Sequence, residues 1–362
     1  MNVFVNHLTG GHMIFRPILR WKRGEQSALS QLSDSQKNSV IPLITIPGHS
    51  YDPPLDESVD PNFDNRIIKD AERLTSAWDG YTVSVDLNAI DPDARCENNE
   101  HPVTLFFQTL STETDAHPVL TPDSDDEFID AVADLQIDPV FRLTPDDLAS
   151  PEIGNIITSQ LRACQTSADR CDVIIDLGYV STIGRSVLTA RGALSSLPFF
   201  NDWQSITLAS GSFPANLSQF SVGDHLVERI EVAIWTAVTQ SLTRSIEYGD
   251  YATIHPIPVE ESLDPRTMNP SASVRYTHDD DWLLLRGEGT RNRGGRGFSQ
   301  FQDHAVALVQ RPEYRGPDFS YGDFKISQIA QGIDGNGNLE TWVTIGINHH
   351  IAEILDQFSN FP

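Results

Sequence analysis

Lysine is almost missing from this chain: four residues in 362, beside 21 Arg, 34 Asp and 17 Glu, leave a formal charge of −26 at pH 7. A surface field of that sign repels phosphate backbones, so binding to nucleic acid is disfavoured unless the arginines gather in one place. An Asp-rich, Lys-poor surface is also what adaptation to high salt produces. Cysteine is equally sparse. Cys96, Cys164 and Cys171 are odd in number and form no CxxC pair, which argues against a disulfide frame or a thiolate zinc site and for a reducing, cytoplasmic setting. No apolar run reaches the roughly 18 residues of a spanning helix. The first fifteen residues lack a basic n-region and an unbroken apolar core, so neither a membrane span nor a secretory signal of that kind is expected. Missing too are a GxGxxG after any early strand and a G-x-S-x-G elbow, since Ser210-Gly-Ser212 does not fit one. A Rossmann dinucleotide site and a serine hydrolase of the elbow type are thereby set aside.

What is present is alternation. The stretch 172–178, Asp-Val-Ile-Ile-Asp-Leu-Gly, runs apolar without a period of two, as a strand does when both its faces are covered. Similar strands are expected at 14–20, 41–46, 81–87, 118–121, 139–144, 205–209 and 246–255. Helical spacing falls between them at 24–32, 65–78, 101–111, 127–135, 151–164, 184–197 and 226–242. Eight strands separated by helices over about 240 residues match the count and size of a (β/α)8 barrel of the TIM type. Beyond the eighth strand, residues 274–277 and 282–286 flank His278-Asp-Asp-Asp281 and read as a hairpin. Arg291, Arg293 and Arg296 follow among glycines. The expected organisation is an N-terminal tail (1–13), barrel strands with seven helices (14–256), a hairpin insertion after strand eight (257–297), then the eighth barrel helix with a C-terminal helical appendage (298–362). Within the last part, 342–347 reads as extended.

In a barrel the C-terminal ends of all strands meet at one mouth. The residues expected there are Lys22, Glu25, Asp86, Arg142, Asp176, Ser210, Ser212 and Asp250. Asp86, Asp176 and Asp250 are candidate ligands for a divalent metal ion, or, with Glu25, a general acid and base. Lys22, Arg142, Ser210, Ser212 and Arg275 are candidate contacts for a phosphorylated ligand. The plainer alternative for each aspartate is an Asx turn, a helix cap or an ion pair. Of His349 and His350, adjacent on one element and so pointing apart, one at most reaches such a site, and His349 is the candidate.

Seven short motifs, taken together and in this order, resemble the beta-protein family: Arg20-Trp-Lys-Arg-Gly-Glu25, Asp176-Leu-Gly178, Ala209-Ser-Gly-Ser-Phe-Pro214, Tyr248-Gly-Asp-Tyr251, Arg275-Tyr-Thr277, Tyr321-Gly-Asp323 and Asn348-His-His350. The resemblance spans nearly the whole chain and departs at Thr45, where an acidic residue is expected. The family is named after a bacteriophage protein and has no established activity, so the resemblance implies a phage-related role. Two functions stand side by side. One is a barrel hydrolase or phosphodiesterase acting on a small phosphorylated or nucleotide-like molecule. The other is a non-catalytic protein that binds a protein partner in phage–host conflict, as antiviral defence or its counterpart. A converging, metal-occupied carboxylate cluster favours the first; a mouth sealed by the 274–286 hairpin, with each aspartate satisfied by a backbone N–H, favours the second.

Overall fold

Val173, Ile174 and Ile175 form a strand because both faces are covered: Ile174 packs in an apolar cluster inside a barrel, while Val173 and Ile175 join the larger core outside it. The structure is a computed structural model that describes residues 13–48, 62–257 and 268–359. The tail 1–12, most of the loop 47–61 and residues 258–267 of the insertion lie outside the described residues. The strands are β1 (Phe15–Arg20), β2 (Leu43–Thr45), β3 (Thr82–Asp86), β4 (Asp115–Leu120), β5 (Val140–Leu143), β6 (Asp172–Tyr179), β7 (Ser205–Gly211), β8 (Gly223–Glu228), β9 (Glu247–Asp250), β10 (Ser271–His278) and β11 (Asp281–Gly289). Between them run α1 (Arg23–Ser30), α2 (Asp34–Lys37), α3 (Phe63–Trp78), α4 (Pro102–Thr109), α5 (Asp126–Asp134), α6 (Pro145–Ala149), α7 (Ile153–Ala163), α8 (Ile183–Ser196) and α9 (Glu231–Thr239). After the last strand come α10 (Gln300–Leu308), α11 (Tyr321–Ala330) and α12 (Leu339–Ser359).

Strands β1 to β7 and β9 close into a parallel eight-stranded barrel, with β9 pairing to both β7 and β1. Side chains alternate along each strand, so the interior is built in layers. Ile18, Leu43, Val119, Val140, Ile174 and Ala209 fill the middle. Below them Arg16 donates from Nη2 to Asp172 Oδ2 at 2.5 Å and from Nε to Glu247 Oε2 at 2.6 Å, closing the N-terminal end with ion pairs.

Strand β8 belongs to a second sheet, antiparallel in the order β10-β11-β8. Residues 223–228 therefore precede the eighth barrel strand in sequence yet extend the inserted hairpin. The expected helix 226–242 starts only at Glu231, and Leu226 lies in the strand. This sheet has its own core, in which Val274, Tyr276, Leu283 and Leu285 meet α10, α11 and the start of α12.

The eighth barrel helix is α12. Its Ile347, Ile351 and Ile354 lie in the barrel's outer core, each worth about 1.5–3 kcal/mol buried, whereas Phe301, Ala305 and Leu308 of α10 pack in the second core. The expectation that residues 298–310 cover the barrel is thus corrected. So is that of an extended 342–347, because Trp342, Ile345 and Ile347 are buried positions of one 21-residue helix. That helix serves both cores and joins them.

Candidate functional site

Three inward-facing strand ends and one residue just beyond β9 build the floor of the mouth. Arg142, on β5, donates from Nη1 to Asp86 Oδ2 at 2.7 Å, and from Nη2 and Nε to Asp176 Oδ2 at 2.6 and 3.0 Å. Tyr251 OH donates to the same Asp176 oxygen at 2.6 Å and accepts from Arg142 Nη2 at 3.1 Å. The other oxygen of each aspartate closes an Asx turn: Asp86 Oδ1 accepts from Asn88 N at 3.0 Å and Asp176 Oδ1 from Gly178 N at 2.8 Å. Gly178 has φ +60°, a backbone that side-chain-bearing residues rarely take. Burial opposes the charge of Arg142, but Asp176, Tyr251 and Asp86 outweigh it and raise its pKa well above the usual guanidinium value. Burial, with the Asp176 charge behind it, keeps Tyr251 protonated. Four of the five guanidinium N–H groups of Arg142 are used within this network, so its ion pairs fix the side chain and leave one Nη1 hydrogen for a ligand.

Asp250 stands on the opposite face of its strand. It points with Tyr248 into the layer between barrel and helices, where Tyr248 OH donates to its Oδ2 at 2.8 Å, His350 Nε2 to the same oxygen at 2.9 Å and Ala252 N to Oδ1 at 2.8 Å. Burial pushes the Asp250 pKa up, yet His350, Arg229 and the Ala252 N–H hold it below the ordinary carboxylate value. Burial lowers the pKa of His350, which fits a neutral ring that donates from Nε2 and accepts at Nδ1 from Thr277 Oγ1, 2.8 Å away. The expected metal set is therefore corrected. Asp86 and Asp176 are spent on Arg142, and Asp250 faces away from both.

Nor does His349 reach the mouth. It is fully buried, stacked on Tyr276 at 3.8 Å, and bonded through Nδ1 to Asp323 Oδ2 and through Nε2 to the Thr277 carbonyl, both at 2.7 Å. A carbonyl only accepts, so Nε2 carries a proton, and both nitrogens are used in holding α12 to α11 and β10. Ser212 is also corrected as a ligand contact, since its N and Oγ donate to the two oxygens of Glu231 at 2.8 and 2.9 Å. Ser210 follows Leu208 on the outward face of β7, with Ala209 between them pointing into the barrel, and is buried.

What the mouth does offer is Glu25 and Arg275. Glu25 lies in the first turn of α1, only 5% exposed. Burial lifts its pKa to about 7, against the opposing pull of its own backbone N–H and of Lys22, Arg20 and Arg275. Arg275 comes from β10. Its Nη1 donates to the Thr253 carbonyl at 2.7 Å and its guanidinium lies 4.6 Å over the Phe213 ring. Burial brings its pKa down to about 10, with Glu25 as the opposing charge. Arg20, the inward residue at the end of β1, donates to the His255 carbonyl at 3.0 Å. Sequence reasoning missed Tyr251, Asn88 and Thr253. Tyr251 had a signal, because it follows Glu247 and Gly249 at steps of two and so shares their inward face.

The short motifs meet in space. Asn348 Nδ2 donates to the Ala28 carbonyl at 3.1 Å and its Oδ1 accepts from Gly322 N at 3.0 Å, while Thr344 Oγ1 donates to the Gly24 carbonyl at 3.1 Å. With His349 on Asp323 and His350 on Asp250, one segment of α12 fastens α1, β9, β10 and α11 together, and these hold Glu25 and Arg275 in place.

The family model described as "Beta protein" matches residues 15–356. "Protein beta" of Enterobacteria phage P4 is 23% identical over 357 residues, covering 94% of this chain and 93% of that protein. Among solved structures, the YdjI aldolase from Escherichia coli K12 is 8% identical with a TM-score of 0.37, covering 96% of this chain and 91% of that one.

Proposed function

Given that the chain belongs to the beta-protein family, we propose that its barrel mouth receives a small phosphorylated or nucleotide-like anion and hydrolyses it, with Glu25 as the group that gives and takes the proton. The observation that carries this reading is the buried Glu25 carboxyl, lifted to about 7 among Arg275, Lys22 and Arg20 at the C-terminal end of the strands. A carboxyl of that pKa is divided between its two forms near neutrality, which suits proton transfer in either direction. Arg275 holds the anion, with Lys22 and Arg20 adding positive potential, and a guanidinium brought down by burial gains most from an anion beside it. The Arg142 network acts as a rigid floor and positions Tyr251. Asp86, Asp176 and Asp250 take no chemical role.

The test is a panel of nucleotides and sugar phosphates against wild type, Glu25→Gln and Arg275→Gln, read by melting temperature and phosphate release. Glu25→Gln keeps the ligand-induced rise in Tm and loses turnover by roughly 10²–10⁴-fold, the usual worth of a general acid or base. Arg275→Gln loses the rise itself. Undiminished turnover in Glu25→Gln, or no ligand that moves Tm, would sink the reading.

A second reading, a non-catalytic binder in phage–host conflict, is favoured by one observation. Asp86, Asp176 and Asp250 each accept the N–H of the residue two positions on, and so are structural turn-formers. Under this reading Glu25→Gln changes nothing when plaque counts on cells carrying each form are compared.

A further inference from the structure

The turn of the inserted hairpin is docked on the far end of α12. Asp279, at φ 46°, offers its carbonyl to Gln357 Nε2 at 3.0 Å and to Arg229 Nη1 at 2.8 Å. Beside it lies Glu353, fully buried. Its Oε1 accepts from Gln357 Nε2 at 3.3 Å, but its Oε2 is buried with no hydrogen-bond partner. Arg315 Nε stands 3.7 Å from that oxygen, outside hydrogen-bond reach, while its Nη2 is 2.5 Å from Asp356. His278 Nδ1 is buried without a hydrogen-bond partner as well, and Nε2 of the same ring is 3.4 Å from Asp279 Oδ2. Two buried polar atoms lacking partners within one cluster ask for a shared occupant.

One nitrogen of His278 and one oxygen each from Asp279 and Glu353 lie within 4.8 Å of one another. An ion at their centre is at most roughly 2.8 Å from each, and small rotamer changes bring that to the roughly 2.0–2.2 Å of a zinc site. Asp279, Glu353, Asp356 and Asp250 carry four negative charges against the two guanidiniums of Arg315 and Arg229, an excess of two that a dication cancels. We propose that His278, Asp279 and Glu353 bind a divalent transition-metal ion, with Zn²⁺ best suited to one imidazole and two carboxylates. Three protein ligands leave a position for water. The ion pins the hairpin turn to the helix that covers the barrel, and thereby ties the second sheet to the first.

The full chain, stripped with chelator, is titrated with Zn²⁺, Co²⁺ or Mg²⁺ alone and followed by Tm, with the Co²⁺ form also read by visible absorption. At a hundredfold excess over Kd, Zn²⁺ and Co²⁺ raise Tm by about 4 °C, Co²⁺ gives the visible bands of a low-coordinate site, and Mg²⁺ does neither. Asp279→Asn changes an exposed side chain and keeps the metal-free Tm, while His278→Ala removes a half-buried ring; both variants lose both responses. If Zn²⁺ leaves Tm unmoved, or if shift and absorption persist in both variants, the assignment is overturned. The second result would move the ion elsewhere on the chain.

Discussion

Glu25 carries the proposed proton transfer, and its burial makes stability depend on pH in a set direction. Its carboxyl titrates near 4.3 in an unfolded chain and at about 7 in the folded one. Between these values the native state holds the extra proton, so this group lowers stability as pH rises, and the loss is complete just above pH 7. The full effect is on the order of 3 kcal/mol, since the side chain is almost fully buried. Glu25→Gln, which cannot ionise, is therefore more stable than wild type at pH 8 and nearly equal to it at pH 5. Urea midpoints for both proteins at both pH values check this, and a difference independent of pH would refute it. Which strand-end residues could share a mouth was readable from the sequence; which way each one faces depends on parity. Glu247, Gly249 and Tyr251 fall on one face of β9 and Tyr248 and Asp250 on the other. A residue at the end of a strand thus has only an even chance of pointing inward until its register is fixed.

At the scale of elements, α11 and α12 touch where glycine allows it. A Cβ on Gly322 would stand 2.5 Å from the Ile345 carbonyl and 3.2 Å from the His349 Cβ. Gly322→Ala therefore pushes the helices apart at the point where His349 meets Asp323, and costs roughly 1–3 kcal/mol. Gly192→Ala in α8, where an added Cβ meets nothing within 4 Å, gains about 0.5–1 kcal/mol because the helix prefers alanine. Chemical denaturation of the two variants compares them directly, and similar effects would undo the account of close approach. The barrel strands were readable because their apolar runs are covered on both sides. The strand β8 was not, because Gly223-Asp-His-Leu-Val-Glu228 is a sheet edge with alternate residues exposed and few apolar side chains. Trp342 to Ile347 misled in the other direction: Val343, Thr344, Ile345 and Ile347 are β-branched, and tertiary packing overrides that preference. The eighth helix was misplaced because chain order suggested α10, while the apolar face that fits β1 lies about 40 residues later, on α12.

For the molecule as a whole, 51 acidic against 25 basic side chains produce a repulsion that the fold has to contain. Raising NaCl from about 0.1 M to about 1 M shortens the screening length from roughly 10 Å to roughly 3 Å, so Tm rises with salt. A fall in Tm would instead show that ion pairs such as Arg315 with Asp356 outweigh the general repulsion. That α12 completes the barrel also sets an order in time during synthesis. The last barrel strand ends at Asp250, but the helix that covers β1 begins only at Leu339. At about 5–20 residues per second the ribosome needs roughly 5–20 s to make the intervening stretch. Throughout that interval the nascent barrel carries an uncovered apolar flank where α12 will lie, open to chaperones and to neighbouring chains. Native closure waits on a helix that starts about 90 residues beyond the last barrel strand.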